Sequence, residues 1–123
     1  MTHILAVALG GAIGSVLRYG ASRAFARSAG SFPWETLLVN VVGCVLLGLF
    51  LGLTQSRLQV SSQVHALLSV GLLGGFTTFS TFSHQTVALW QAERFALAGG
   101  NILLNVAVGL IAAWLGWQLG RVV

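Results

Sequence analysis

Three asparagines, a run of hydroxyl residues and three evenly spaced phenylalanines carry most of the chemistry this sequence offers. Thr36 and Asn40 are four residues apart, as are Asn101 and Asn105, with Gly109 continuing the second series. On a helix that spacing puts each set on one face. Between them lies Gly74-Gly75-Phe76-Thr77-Thr78-Phe79-Ser80-Thr81-Phe82-Ser83. Its hydroxyls and the asparagine amides are donors without a full charge. Phe76, Phe79 and Phe82 recur every third residue. Packing is the usual use of such a stripe, but the edge of a phenyl ring is positive and can face an anion. Ion recognition by neutral donors is the chemistry these residues could perform together.

The missing residue types narrow it further. The only acids are Glu35 and Glu93, there is no lysine, and neither acid falls in the middle of an apolar run. Proton-coupled carriers need a titratable group inside the membrane, most often a carboxylate. His84 is the one ionisable residue well inside a charge-free interval, and a packed or hydrogen-bonded neutral imidazole is expected there. His3 and His65 fall near helix ends. Cys44 has no second thiol for a disulfide or a zinc site and reads as a small buried side chain. No nucleophile, base and orienting group can be assembled, so catalysis is not expected.

Such residues must be positioned by elements that live in lipid. Charged residues make up 7% of the 123, against about 25% in soluble domains, too few to cover a water-facing surface. The net charge of +4 comes from six arginines, Arg18, Arg23, Arg27, Arg57, Arg94 and Arg121. They stand singly between apolar runs, as membrane-interface residues do, and not in the clusters that bind nucleic acid. Met1-Thr2-His3 lacks the basic n-region of a signal peptide, so the first apolar run is expected to be a transmembrane helix.

Charge-free intervals mark the spans. Residues 36–56 and 95–120 each fit one crossing of about 20 residues. Residues 58–92 would make a helix of about 52 Å, too long for one crossing and too short for two. The paired glycines and hydroxyls in its middle predict one discontinuous helix, broken near Gly74–Thr78, because freed backbone is tolerated only against protein or a watery path. The expected architecture is all-α, with spans at about 3–23, 34–55, 63–90 and 96–119 joined by short connections such as Ser28–Pro33. Small residues four apart (Gly10/Gly14, Gly11/Ser15, Gly48/Gly52, Gly71/Gly75, Gly116/Gly120) predict close helix packing. Alternation puts the N-terminus, Arg57 and Arg121 on one side and Arg23, Arg27 and Arg94 on the other. That near balance barely selects an orientation and permits an antiparallel dimer.

The run from Gly74 to Ser83 resembles the signature of the Fluc (CrcB) fluoride channels. Gly10–Arg18 is similar to that family's glycine-rich first helix with its arginine, and Thr36-Leu37-Leu38-Val39-Asn40-Val41-Val42-Gly43 to its second-helix motif. The resemblance implies a dual-topology antiparallel homodimer in the bacterial inner membrane, with two fluoride pores. It implies that Phe79 and Phe82 line the pore with Asn40, and that the carbonyls of Gly74 and Thr77 hold a structural sodium ion at the dimer centre. Ser80, Thr81 and Ser83 fall on a polar track beside the phenylalanines, and Arg18 at a vestibule. Asn101 and Asn105 stand where other members place different polar residues, and are assigned to the path from their face alone. Gln85 stands where members often carry glutamate, so a pore role for that carboxylate does not transfer. Glu35 stands where a glycine is commoner. The expected function is passive fluoride export. The alternatives are a small multidrug-type antiporter, which should carry a carboxylate in its first helix, and a non-conducting subunit of a membrane complex.

Overall fold

The computed structural model describes residues 2–25 and 32–123. Met1 and residues 26–31 lie outside the described residues, and with them Arg27 and most of the connection expected at Ser28–Pro33. Four helical spans are long and apolar enough to cross a membrane: Thr2–Phe25, Trp34–Ser56, Ser62–Gln91 and Phe95–Val122. The first two are α1 and α2. The third comprises α3, residues 62–76, and α4, Phe79–Gln91. The fourth is α5. Their outer faces are apolar, as for Leu9, Ile13 and Val16 on α1 and Leu110 and Ile111 on α5. The chain is a multi-pass membrane protein.

Two pairs of spans lock together through glycine. On α2, Gly48 meets Ala113 and Trp117 of α5, and Gly52 meets Trp117 and Gly120. Gly116 and Gly120 return the contact against Val45 and Leu49. Residue numbers rise together, so α2 and α5 run parallel. Likewise Gly10 and Gly14 of α1 lie against Leu67 and Leu72 of α3, and a methyl group on Gly75 would sit 2.8 Å from the Gly11 carbonyl oxygen. In lipid, where apolar side chains gain nothing by leaving their solvent, such backbone approach is a main source of helix association.

The third span breaks within the expected Gly74–Thr78, at its C-terminal end. Gly74 and Gly75 are helical, and the extended residues are Thr77 (ψ 162) and Thr78 (φ −151, ψ 114). Of the glycines and hydroxyls expected to weaken the helix together, the glycines stay helical, and Gly75 admits the α1 backbone. Threonine, β-branched and able to cap, makes the break: Thr78 Oγ1 accepts from Thr81 N–H at 3.2 Å and starts α4. Two stretches, Ala66–Leu73 and Leu104–Val108, wind with wider π-type turns.

Short bonds gather the ends. Gln63 donates to Thr2 Oγ1, Ser56 to the Gly120 carbonyl, and Trp117 to Gln55, while the Arg121 guanidinium lies 4.7 Å from the Trp117 ring centroid. The N-terminus, the Arg57 turn and the C-terminus therefore share one end. At the other, Glu93 adopts φ 58 between α4 and α5. There Arg94 N–H bonds Leu89 O and Glu93 N–H bonds Trp90 O, closing α4 with a Schellman turn.

The glycine contacts set a measurable contrast. Gly48→Ala and Gly116→Ala each drive a methyl group into a carbonyl of the facing helix and should cost about 1–3 kcal/mol, as overpacking does. Gly20→Ala meets nothing within 4 Å and should gain about 0.5–1 kcal/mol from helix propensity. Thermal unfolding in detergent reads all three; equal melting temperatures would show that these glycines do not set the packing.

Candidate functional site

Breaking a helix at Thr77–Thr78 frees backbone groups that lipid cannot satisfy, and named partners take them up. Thr77 N–H still bonds Leu73 O at 3.1 Å, and its hydroxyl donates to the same oxygen. Arg18 reaches from α1 to donate to Thr77 O at 3.3 Å. Thr78 is served by one side chain. Its N–H donates to Asn40 Oδ1 at 2.9 Å, and its C=O accepts from Asn40 Nδ2 at 3.2 Å. An extended residue presents N–H and C=O on the same side, as in a β ladder, and a primary amide matches that pair. Gly43, one turn along α2 from Asn40, permits the approach, since a methyl group there would strike the Thr77 side chain.

The Asn40 amide also continues outward. Its Nδ2 donates to Asn105 Oδ1 at 2.9 Å, and Asn105 Nδ2 donates to Asn101 Oδ1 at 2.9 Å and Asn101 O at 3.0 Å. Asn101 Nδ2 donates to Thr86 Oγ1 at 2.8 Å, and the Thr86 hydroxyl to Phe82 O at 2.8 Å. The two asparagine faces read from the sequence are thus brought together, and through α4 they reach the broken span.

Two cavities flank Thr78. One, of about 250 Å³, is a groove lined by Asn40, Gly43, Cys44, Leu47, Thr77, Thr78, Phe79, Phe82, Asn105 and Val106. The other, of about 210 Å³, is polar and lined by Ser15, Arg18, Tyr19, Ser22, Thr36, Val39, Thr78 and Thr81. Among the described residues, Arg18 is the one charged residue lining either. Thr36 is buried, 3% exposed, and faces the second cavity while Asn40 faces the first. The Phe79 and Phe82 rings lie 5.3 Å apart, tilted by 57°. Phe82 is buried, whereas Phe79 is 77% exposed on the outside of this single chain. Phe76 ends α3, so the three phenylalanines do not form one stripe on the helix after the break.

Other expected site residues lie differently. Ser80 is exposed and Ser83 donates to Phe79 O at 2.9 Å; neither is among the described residues that line these two cavities. Asn101 is fully buried, 0% exposed, and lines neither cavity. Gly74 is exposed on α3. His84 is exposed on α4 in the single chain, where a packed or hydrogen-bonded imidazole was expected. His65, expected near a helix end, lies in the first turns of α3 with its ring 5.6 Å from that of Phe50, tilted by 52°. The two departures meet: Gln85 Nε2 donates to Glu35 Oε1 at 3.1 Å, while Glu35 Oε2 and Gln85 Oε1 are buried with no partner among the described residues. Sequence reasoning passed over Thr78, Thr86 and Gly43. Thr78 carried a signal, a threonine three residues before Thr81 at a helix start; Thr86 and Gly43 carried none that spacing reveals.

Comparison with known proteins agrees with this architecture. The profile of the family described as CrcB-like protein, Camphor Resistance (CrcB), matches residues 5–117. The protein of Paramagnetospirillum magneticum named fluoride-specific ion channel FluC is 50% identical over 119 residues, covering 94% of this chain and 92% of its own. Proteins of the same name from Chloroflexus aurantiacus and Geobacter sulfurreducens are 44% and 43% identical, covering 98% of this chain and 97% and 98% of theirs. With its broken third span, its asparagine-clamped threonine and a family match across nearly its whole length, the chain belongs to the CrcB family of membrane proteins.

Proposed function

We propose that this protein is a fluoride channel that lets fluoride leave the cytoplasm down its own gradient, lowering its toxicity, and that it works as an antiparallel homodimer. The observation that carries the reading is the pair of cavities flanking Thr78, lined among the described residues by neutral donors and the phenylalanines Phe79 and Phe82, with a single arginine and no acid. The name borne by relatives of matching length supports the choice of fluoride among anions.

Fluoride is small and strongly hydrated, so a path must replace its water without trapping it. Hydroxyls of Thr81 and Ser80, the edges of Phe79 and Phe82, and the Asn40 amide offer such replacements. Of the two Asn40 Nδ2 bonds, the one to Thr78 O is longer, 3.2 against 2.9 Å, and is the easier to lend to an ion. The N-terminus of α4 opens at Phe79 and contributes positive partial charge at the level of the rings. Arg18 raises the anion concentration in the polar cavity. Phe79, exposed in one chain, would complete a path with the partner copy.

A sodium ion at the dimer centre fits the carbonyls present. In a continuous helix Gly74 O would accept from Thr78 N–H, and Thr77 O from Thr81 N–H. The first N–H goes instead to Asn40 and the second to Thr78 Oγ1. Both carbonyls are thereby released at the C-terminal, negative end of α3. Arg18 occupies one lone pair of Thr77 O and leaves the other. Two copies would offer four oxygens to a hard cation. When bound, the ion neutralises these dipoles and joins the copies.

Purified protein in liposomes should release fluoride with no pH gradient and hold back chloride. Equal fluxes of the two halides, or a strict need for a proton gradient, would overturn the channel reading.

Phe79→Ile and Phe82→Ile should each lower fluoride flux by at least about tenfold, the worth of one lost donor contact, while the dimer persists on size exclusion. Unchanged flux in both would return the rings to packing.

Adding two arginines to the end that holds Arg57 and Arg121 should bias insertion to one orientation. Activity should vanish in that variant alone and return when an oppositely biased copy is co-expressed. Full activity from a single-orientation population would exclude the antiparallel dimer.

A further inference from the structure

The chain contains three asparagines, Asn40, Asn101 and Asn105, and all three belong to one hydrogen-bonded series. Its order is directional. Thr78 N–H can only donate, so Asn40 must turn Oδ1 toward it and Nδ2 away. The Asn40 Nδ2 then requires an oxygen from Asn105, which turns the Asn105 Nδ2 toward Asn101. Asn101 therefore presents its own oxygen to Asn105 and its own Nδ2 to Thr86, whose hydroxyl proton is sent to Phe82 O. Reversing any amide would set two oxygens or two NH₂ groups face to face. Each amide is thus held by the next, and the series begins and ends on backbone of the broken span.

Asn101 is the largest fully buried side chain among the described residues, and it touches neither cavity. A fully buried amide in an apolar helix is costly unless bonded, and a leucine would fill much of the same volume. Its place is understandable if its orientation is used elsewhere. We infer that Asn101, with Asn105, is a positioning residue: it holds the Asn105 oxygen against Asn40 Nδ2, and so steadies the Asn40 amide on the Thr78 peptide beside the donors that face the ion. This rests on the fluoride-channel reading for its functional consequence, but not for its structural one. Asn101 replaced by leucine would strip Asn105 of one of its two acceptors, leaving only the Asn101 carbonyl. Asn105 would keep its orientation on that carbonyl, but with one bond in place of two its oxygen would be held less firmly on Asn40 Nδ2, and the clamp on Thr78 would loosen.

Because the chain has only three asparagines, ¹⁵N-asparagine labelling of the protein in detergent gives three side-chain NH₂ pairs, all from this series. Asn101→Leu should remove its own pair and shift or broaden the Asn40 pair, which residue 101 does not touch. Thr86→Val, which removes only the far hydroxyl, should shift the Asn101 pair strongly and the Asn40 pair less. In liposomes both variants should keep the dimer, and Asn101→Leu should lower fluoride flux by about tenfold, the worth of one hydrogen bond in the series. An unmoved Asn40 pair together with flux within about twofold of the parent would overturn the proposal and leave Asn101 as packing. Should Asn101→Leu fail to assemble, Thr86→Val decides by the same two readouts. If the parent protein itself passes no fluoride, the channel reading fails while the NMR arm still tests the relay.

Discussion

The pairing of the Asn40 amide with the backbone of Thr78 is the constraint on which the rest of this membrane protein turns. A helix cannot simply stop in hydrocarbon, since each unsatisfied N–H or C=O there costs several kcal/mol. Two extended residues interrupt the third span, and one of them exposes both groups on one side. Only a primary amide supplies a matching acceptor and donor without charge. Once Asn40 is committed, neighbours follow: glycine is required at 43 to let α2 approach, and an acceptor is required from Asn105 for the remaining amide hydrogen. The same commitment releases the Gly74 carbonyl, whose helical donor has been taken.

The choice of amides and hydroxyls over ions has consequences for transport. A carboxylate in the path would repel an anion, and a row of arginines would hold it too tightly to leave. Around Thr78 there is one guanidinium, and one of its donors already rests on the Thr77 carbonyl. The carboxylate of Glu35 lies in the first turn of α2, where the helix dipole favours it, and is bonded to Gln85. Positive character near the rings comes largely from dipoles: the start of α4, the phenyl edges, the amide hydrogens. Dipoles fixed by protein bonds need little reorganisation as an ion passes.

Much of this was legible in the sequence, and the failures have physical causes. Four spans follow from charge-free intervals, because lipid excludes charge and sets the length of a crossing. Glycine contacts follow from four-residue spacing. The break falls within the expected Gly74–Thr78, but at its hydroxyl end: glycine is a helix breaker in water and a packing residue in lipid, so Gly74–Gly75 stayed helical and Thr77–Thr78 did not. The asparagine series could not be seen from spacing, which gives the face of a residue but not the residue opposite. Nor does the sequence announce the π-type turn at Leu104–Val108, which begins next to Asn105 and alters the helical register there. His84, expected to be packed or hydrogen-bonded beside the polar break, is exposed in the single chain, since its position next to the break does not reveal which face of α4 it takes.

The bundle is also uneven in how it is held, and that unevenness matches its task. The pairs α1 with α3 and α2 with α5 are joined by glycines whose backbones nearly touch, contacts that are short-ranged and tolerate no added atom. The half-helix α4 contains no glycine. It is attached by side chains: Thr86 to Asn101, Gln85 to Glu35, the Thr78 cap to Asn40, and the edge-on contact of Trp90 with Phe95 at 5.0 Å. Rigid packing therefore forms the frame, and exchangeable hydrogen bonds hold the segment that carries Phe79, Phe82 and Thr81. A hydrogen bond can be lent to a passing ion and recovered afterwards; a van der Waals contact between backbones cannot. If the proposed path runs along this segment, an ion would be received there without disturbing the helices that keep the protein in the membrane.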